Sequence, residues 1–341
     1  MQDQPSHPVV LAIESSCDDT AAAVVAGGIL RSNVVSSQRV HAGFGGVVPE
    51  LASRAHQRLI VPVVEAALEE AGVRRTDLDA VAVTYGPGLA GSLLVGLSFA
   101  KALAFGLGVP LVGVNHLEGH IYSVFIEPPV PPFPYLCLVV SGGHTQLVLV
   151  DEGFRHTLLG QTRDDAAGEA FDKVGKMLGL DYPGGPVIDR LASEGDPAFH
   201  AFPRTRLEGY DFSFSGIKTA VLYHLNAYTE EERNRLLERH RADLCAAFQQ
   251  AVVDMLIDPL RRAVRATGAR HVALVGGVSA NTGLRAAAQA LAQEEGVTLY
   301  TPPLAYCMDN AAMIGVTAHV KLAAGLTSPL TLTAEPALAL R

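Results

Sequence analysis

Residues 9–13 form an unbroken apolar run, residues 14–20 a polar stretch (ESSCDDT), and residues 21–26 a second apolar run. Such a pattern predicts two buried strands joined by a hydroxyl- and carboxylate-rich bend. The same pattern returns at residues 135–140, 141–145 (SGGHT) and 146–150. A second theme also occurs twice. Residues 79–84 read as a strand, Gly86-Pro87-Gly88 as a turn, residues 89–107 as a helix and residues 109–114 as a strand. Residues 271–275, Gly276-Gly277, residues 281–294 and residues 297–300 repeat that order, followed by a loop at 301–310 and a helical run at 311–322. Strand, glycine turn, helix, strand in one order twice over predicts an α/β chain of two duplicated domains. Between the second hairpin and the second strand-turn-helix unit lies a mostly helical insertion, about residues 162–255. It opens with a helix predicted over 164–178, its first turn rich in carboxylates.

Composition narrows the class. With 341 residues, 49% hydrophobic and 18% charged, the chain can bury two cores. No apolar run approaches the roughly 20 residues of a bilayer span, and the start MQDQPSHPVVLAIESS lacks the pattern of a leader, so the reading is cytoplasmic, with no membrane. Cys17, Cys137, Cys245 and Cys307 are widely spaced without a C-x-x-C, which argues against a disulfide framework or a cysteine zinc site. A formal charge of −9 argues against coating nucleic acid through the overall field, although a local basic patch such as the arginines at 233, 235, 239 and 241 remains open.

The candidate chemistry centres on His116-Leu117-Glu118-Gly119-His120, directly after an apolar strand. In a helix starting near Asn115, side chains four apart differ by about 40° around the axis, so both imidazoles can reach one ion. Glu118 stands two residues after His116, about 200° away, not directly after it as in the H-E-x-x-H proteases. Asp309 follows the second-half strand as the histidine pair follows the first-half strand, and two facing domains would complete a site of His116, His120 and Asp309 with open positions. Locally, Asp309 also reads as a helix cap. Gly276 to Gly283 reads as a nucleotide loop in which Asn281, at a helix start, can bond a base, ribose or phosphate. Carboxylates near the turn at 182–186 can hold ribose or amino-acid groups, although Asp172 in isolation reads as an ion-pair partner of Lys176. In the stretch 211–219, Phe212 and Phe214 read as core and Lys218 as a possible substrate contact.

Together, IESSCDDT, GGVVPELA (45–52), YGPGL (85–89), HLEGH, VSGGHT, DDAAGEAFDK, DYPGGP, FSFSGIKTA, GGVSANTGLR and YCMDN (306–310) resemble the TsaD (Gcp) family of bacterial tRNA threonylcarbamoyladenosine enzymes, in the family's order over nearly the whole chain. The resemblance implies a duplicated actin-like/Hsp70-like (ASKHA) α/β fold around a central nucleotide-binding cleft. It places residues 1–128 plus 308–341 in the first domain and 129–307 in the second. It implies transfer of threonylcarbamoyl from threonylcarbamoyl-adenylate to the N6 amine of adenosine 37 in tRNAs reading codons that start with A. It carries a divalent metal, Fe(2+) ahead of Zn(2+), onto His116, His120 and Asp309, and substrate contacts onto Val139, Val140, Ser141, Gly142, Gly143, Asp172, Gly185, Asp189 and Asn281. Asp18 falls on the acidic catalytic position of the first hairpin, and Asp19 stands where many members carry Glu. Implied partners are tRNA, a TsaB-like paralogue forming a heterodimer, a TsaE-like ATPase and a separate enzyme making the donor. The rival readings are a metalloprotease, an ASKHA-fold sugar kinase or phosphatase, and a non-enzymatic assembly subunit.

Overall fold

The structure, a computed structural model, describes residues 7–38 and 46–340. Gly45, which opens the GGVVPELA stretch, lies outside the described residues. The chain divides into unit 1, Met1–Val130, Gly153–Arg155 and Pro302–Arg341, and unit 2, Pro131–Glu152 and His156–Thr301.

In unit 1, β1 (Val9–Glu14) and β2 (Asp19–Ala26) form the predicted antiparallel hairpin, with Val9 opposite Ala26 and Glu14 opposite Ala21. β3 (Ile29–Ser37) extends the sheet beyond β2, while β4 (Ala80–Gly86) and β5 (Leu111–Asn115) add in parallel on the far side of β1. The order is β3-β2-β1-β4-β5. The pleat sends alternate side chains of β1 to opposite faces. Leu11 and Ile13 pack with α1 (Pro49–Ala71) and α2 (Ala90–Leu107), whereas Val10 and Ala12 pack with the C-terminal helix α9 (Ala311–Ala323). Covering both faces explains why β1 reads as one apolar run, not as an alternation. Truncating a fully buried residue such as Leu11 or Ile13 to alanine costs about 2–5 kcal/mol at sites of this kind.

Two features of unit 1 differ from the sequence reading. β3 was not expected, because an edge strand carrying Arg31, Ser32 and Asn33 shows no clean period. The expectation that no apolar run nears span length is also corrected, since α2 is 18 residues long with a mean hydropathy of 1.6. Leu93, Leu97, Ala100 and Ala104 are buried where α2 packs on β4 and α1, while Leu94 and Phe105 on the same helix are exposed.

Unit 2 repeats the sheet. β6 (Tyr135–Val140) pairs antiparallel with β7 (Thr145–Asp151) and parallel with β9 (His271–Val275), with β8 (Arg155–Gln161) and β10 (Thr298–Tyr300) at the edges. Its order, β10-β9-β6-β7-β8, is the order of unit 1 strand for strand. The helical insertion follows β8 as α4 (Ala167–Met177), α5 (Gly184–Ala192), α6 (Ser215–Asn226) and the long α7 (Glu230–Thr267), which runs past the expected end and is kinked at His240. α8 (Thr282–Glu295) connects β9 to β10.

The start of α4 is corrected. Asp164 and Asp165 precede the helix and do not form its first turn. Asp164 instead accepts the Phe214 N–H at 2.8 Å and the Ser213 hydroxyl at 2.6 Å at the start of α6. Asp165 bridges Lys173 at 2.9 Å and Lys218 at 2.5 Å.

Candidate functional site

β5 ends at Asn115, and α3 (His116–Tyr122) begins at the next residue. The extended backbone of Asn115 lets its Oδ1 accept the Leu117 N–H at 2.9 Å, while Glu118 Oε2 accepts the Asn115 N–H at 3.3 Å. This reciprocal cap fixes where the helix starts. Glu118 Oε2 also takes the Lys321 ammonium of α9 at 3.0 Å. The carboxylate that a protease reading would need as a base is therefore committed to capping and to an ion pair. One turn of α3 places the His116 and His120 rings edge to face, with centroids 4.8 Å apart. Gly119 permits the helix to lie on α9, since a Cβ there would stand 2.8 Å from Ile314 Cδ1.

Asp309 immediately precedes the cap of α9. That cap is Asn310, whose Oδ1 accepts the Met313 N–H at 2.9 Å and whose amide donates to Met308 O at 2.7 Å. Asp309 is thus free of the capping role that its local sequence also allowed. Its Oδ1 lies 3.4 Å from His116 Nε2 and 3.2 Å from His120 Nε2, and one ligand atom from each of the three lies within 4.8 Å of the others. All three belong to unit 1, which corrects the reading from the duplication that the carboxylate comes from the other half; the resemblance places residues 308–341 in the first domain. The cause is α9: Ala311, Ala312, Met313 and Ile314 fill one face of the unit 1 sheet and bring Asp309 with them.

Glu14, not singled out in the sequence, completes the arrangement. Wholly buried at the end of β1, it sets Oε2 3.1 Å from His116 Nδ1 and 2.6 Å from the Thr84 hydroxyl, and its Oε1 accepts the Ser16 N–H at 2.5 Å. Ser16 Oγ is 3.2 Å from the same imidazole nitrogen. A proton on Nδ1 donated to Glu14 leaves Nε2, the atom facing Asp309, with its lone pair available; carboxylates orient metal-ligating histidines in this way. Among the protein groups alone, burial works against charge on Glu14, yet His116 holds its carboxyl below the usual range. Burial likewise opposes the charged form of Asp309, but His116 and His120 hold it well below the ordinary value. Burial would depress His116, but Asp309 and Glu14 raise it well above its usual value.

The test of whether these residues suit an ion is His120. Its side chain is fully buried, and among the described residues neither ring nitrogen has a hydrogen-bond partner, the approach of Asp309 being outside bonding alignment. Buried polar atoms left in that state are costly, and an ion between the three side chains would give Nε2, the nitrogen facing Asp309, its partner. Two imidazoles and one carboxylate are a donor set for a divalent transition metal with positions left open.

The bend after Glu14 is held by its backbone. Leu89 N–H donates to Ser16 O at 2.7 Å, and Ser92 Oγ donates to Cys17 O at 3.1 Å. His56, fully buried on α1, reaches Cys17 O at 3.0 Å through Nε2 and the Thr20 hydroxyl at 2.7 Å through Nδ1. Asp18 and Asp19 are half-buried on this bend. Burial pushes the Asp19 carboxyl up to about 6, against a hydrogen bond with Ser37.

In unit 2 the structure links several of the expected substrate residues. Val139 and Val140 are core residues of β6, opposite Gln146 and Thr145. The bend beyond them is closed by the Ser141 N–H on His144 O at 2.8 Å, leaving Gly142 and Gly143 exposed. Asp172 pairs not with Lys176 but with the start of α5, accepting the Gly184 N–H at 2.8 Å. Burial raises its carboxyl, against the Gly184 and Gly185 N–H groups. Asp189 on α5 accepts the Thr282 N–H at 3.0 Å and the Gln249 amide at 3.0 Å. The other end of that amide accepts from Asn281 Nδ2 at 2.7 Å, while Asn281 Oδ1 caps α8 through the Leu284 N–H at 2.8 Å. Gln249, buried on α7, therefore couples two expected substrate residues, and no local motif announced it. Lys218, read as a possible substrate contact, is held by Asp165.

Comparison with known proteins shows the family. Residues 29–316 match the family described as TsaD: tRNA N6-adenosine threonylcarbamoyltransferase. A protein of that name from Salinibacter ruber is 63% identical over 333 residues, 97% of this chain and all of the relative. One from Symbiobacterium thermophilum is 53% identical, with 98% of each chain covered, and one from Porphyromonas gingivalis is 51% identical, covering 94% and 96%. Among solved structures, T.kodakarensis HypF aligns with a TM-score of 0.62 at 13% identity, over 93% of this chain and 48% of its own, a likeness of fold alone. The two sheets of matching strand order are the duplicated α/β units expected from the motifs. The chain belongs to the TsaD family of tRNA N6-adenosine threonylcarbamoyltransferases.

Proposed function

We propose that this chain transfers the threonylcarbamoyl group from threonylcarbamoyl-adenylate to the N6 amine of adenosine 37 in tRNAs that read codons beginning with A. The observation that carries the reading is 63% identity to a threonylcarbamoyltransferase along that relative's entire length. The donor is a mixed anhydride, so the chain needs no nucleophile of its own. The N6 lone pair attacks the carbamoyl carbon, the bond to the phosphate oxygen breaks, adenosine monophosphate leaves with the electron pair, and the amine proton passes to a base. Catalysis then consists of holding the two reactants in line and stabilising displaced charge.

In unit 2, the exposed Gly142 and Gly143 backbone next to Ser141, together with Asn281, Asp189, Asp172 and Gly185, are assigned to the donor. The glycines let a phosphate approach the chain closely, and the carboxylates suit hydroxyl and amine groups. In unit 1, Asp18 is the carboxylate assigned to the amine proton. His116, His120 and Asp309 hold a divalent ion, iron(II) ahead of zinc on family resemblance, with Glu14 fixing the His116 ring. When bound, such an ion supplies a Lewis acid for a developing negative oxygen. The reaction proceeds in the cytoplasm, with a TsaB-like paralogue as heterodimer partner and a TsaE-like ATPase.

The test is mass spectrometry of nucleosides from undermodified tRNA incubated with the protein, its partners and threonylcarbamoyl-adenylate. Threonylcarbamoyladenosine should form, and His116→Ala should lose both metal content and product. Full transfer by a metal-free His116→Ala protein would refute the roles given to unit 1.

A further inference from the structure

Beyond α9 the chain does not leave unit 1 but runs beside the edge strand β5 and on past the end of β4. Ser328 N–H donates to Leu111 O at 2.8 Å, and its hydroxyl accepts the Gly113 N–H at 3.0 Å. The Glu335 N–H then donates to Tyr85 O at 2.8 Å, and Pro336 O accepts the Gly88 N–H at 3.1 Å. Leu338 is buried although its neighbours Ala337 and Ala339 are exposed. The close fit needs a glycine at 86, where a Cβ would stand 2.1 Å from Glu335 O. Finally, Ala339 O accepts the Asn115 side-chain amide at 3.1 Å.

Two contacts on that path, at Pro336 and at Ala339, touch the supports of the candidate metal centre. Asn115 is 97% buried and divides its side chain between two tasks, with Oδ1 capping the helix that carries both histidines and Nδ2 gripping the tail. An Asn side chain free to rotate caps less well, because its oxygen must stay aimed at the Leu117 N–H. The tail also pins Gly88, next to Leu89, whose N–H holds the bend at Ser16 beside His116. We propose that residues 335–339 are a strap that positions the metal-binding helix, with Asn115 as the positioning residue through which it acts. The strap orders the first turn of α3 so that the His116 and His120 nitrogens are set before an ion arrives. This rests on the reading of His116, His120 and Asp309 as a metal centre.

Two variants of the full-length protein separate the parts. Asn115→Ser keeps a capping oxygen but loses the amide that reaches Ala339, and a truncation ending at residue 334 removes the strap while keeping Asn115. Metal affinity, by chelator competition with iron(II) and zinc, should fall about 10–100-fold in both, the range seen when ligand-orienting partners are lost. Amide exchange should rise locally over residues 115–122 without a matching rise in the sheet. The exchange readout does not depend on metal: if the wild-type protein binds no ion yet the variants loosen α3, the strap stands and the metal reading falls. An Asn115→Ser protein with unchanged exchange over α3 and unchanged metal affinity overturns the proposal, whatever the truncation does.

Discussion

Glu14 and His116 are 102 residues apart, yet the second depends on the first for its orientation. Replacing Glu14 by Gln keeps the shape but removes the charge that favours a proton on Nδ1, so metal affinity should drop about 10–100-fold while the fold persists, measurable by chelator titration. Retention of full affinity would reduce Glu14 to a buried partner of Thr84. The histidine pair was legible in the sequence because spacing alone places residues 116 and 120 on one side of a helix. Asp309 was legible as a candidate through its place after a repeated strand. Glu14 was not, because it reads as the polar end of an apolar strand and only the fold shows what it touches. Gln249 escaped for the same reason, as a polar residue among the apolar positions of α7 whose partners are Asp189 on α5 and Asn281 at the cap of α8.

The helices of the insertion show how far a periodic pattern goes. DDAAGEAFDK signals an amphipathic helix, and α4 is one, but of the two leading carboxylates Asp164 serves the start of α6 and Asp165 bridges Lys173 of α4 to Lys218 of α6. Local rules place acidic residues in a first turn; they cannot report that a second helix start, some 50 residues on, lies closer. Asp164→Ala should therefore destabilise α6 by about 0.5–2 kcal/mol, as lost caps do, visible as a lower midpoint in urea and faster exchange over residues 215–219. Asp165 makes a pH prediction. Burial alone would raise its carboxyl, but Lys218 and Lys173 hold it below the usual range. A carboxyl depressed in the folded state contributes stability that is fully present above its unfolded value of about 3.9 and is lost as pH falls through the folded value. The stability difference between wild type and Asp165→Asn should accordingly be constant near neutral pH and shrink below about pH 4. A difference that stays constant down to pH 2 would remove the two lysines as its cause.

At the scale of the whole chain, duplication was readable because strand, glycine turn and helix recur in order, and the two sheets repeat one strand order. The edge strands β3 and β8 were not, since a strand open to solvent on one side needs no apolar run. Charge belongs to this scale as well. The chain carries 26 Lys and Arg against 35 Asp and Glu, and several arginines are already paired, among them Arg204 with Asp254, Arg261 with Glu294 and Arg265 with Glu295. Affinity for a polyanion rises with the number of phosphates that free cations neutralise, and the logarithm of the binding constant falls with that of salt in proportion to it. A net charge of −9 opposes a polyanion through the overall field, and under the proposed function tRNA capture is then expected to draw on surfaces that partners add. The chain alone should bind tRNA with a dissociation constant weaker than about 1 μM near 0.15 M salt and with a shallow salt slope, and addition of the partners should steepen that slope as well as tighten binding. Fluorescence anisotropy of labelled tRNA across about 50–200 mM salt reads both quantities. Submicromolar binding by the lone chain with a steep slope would mean that a local basic surface outweighs the net charge, and the partners' role would then lie in turnover and not in capture.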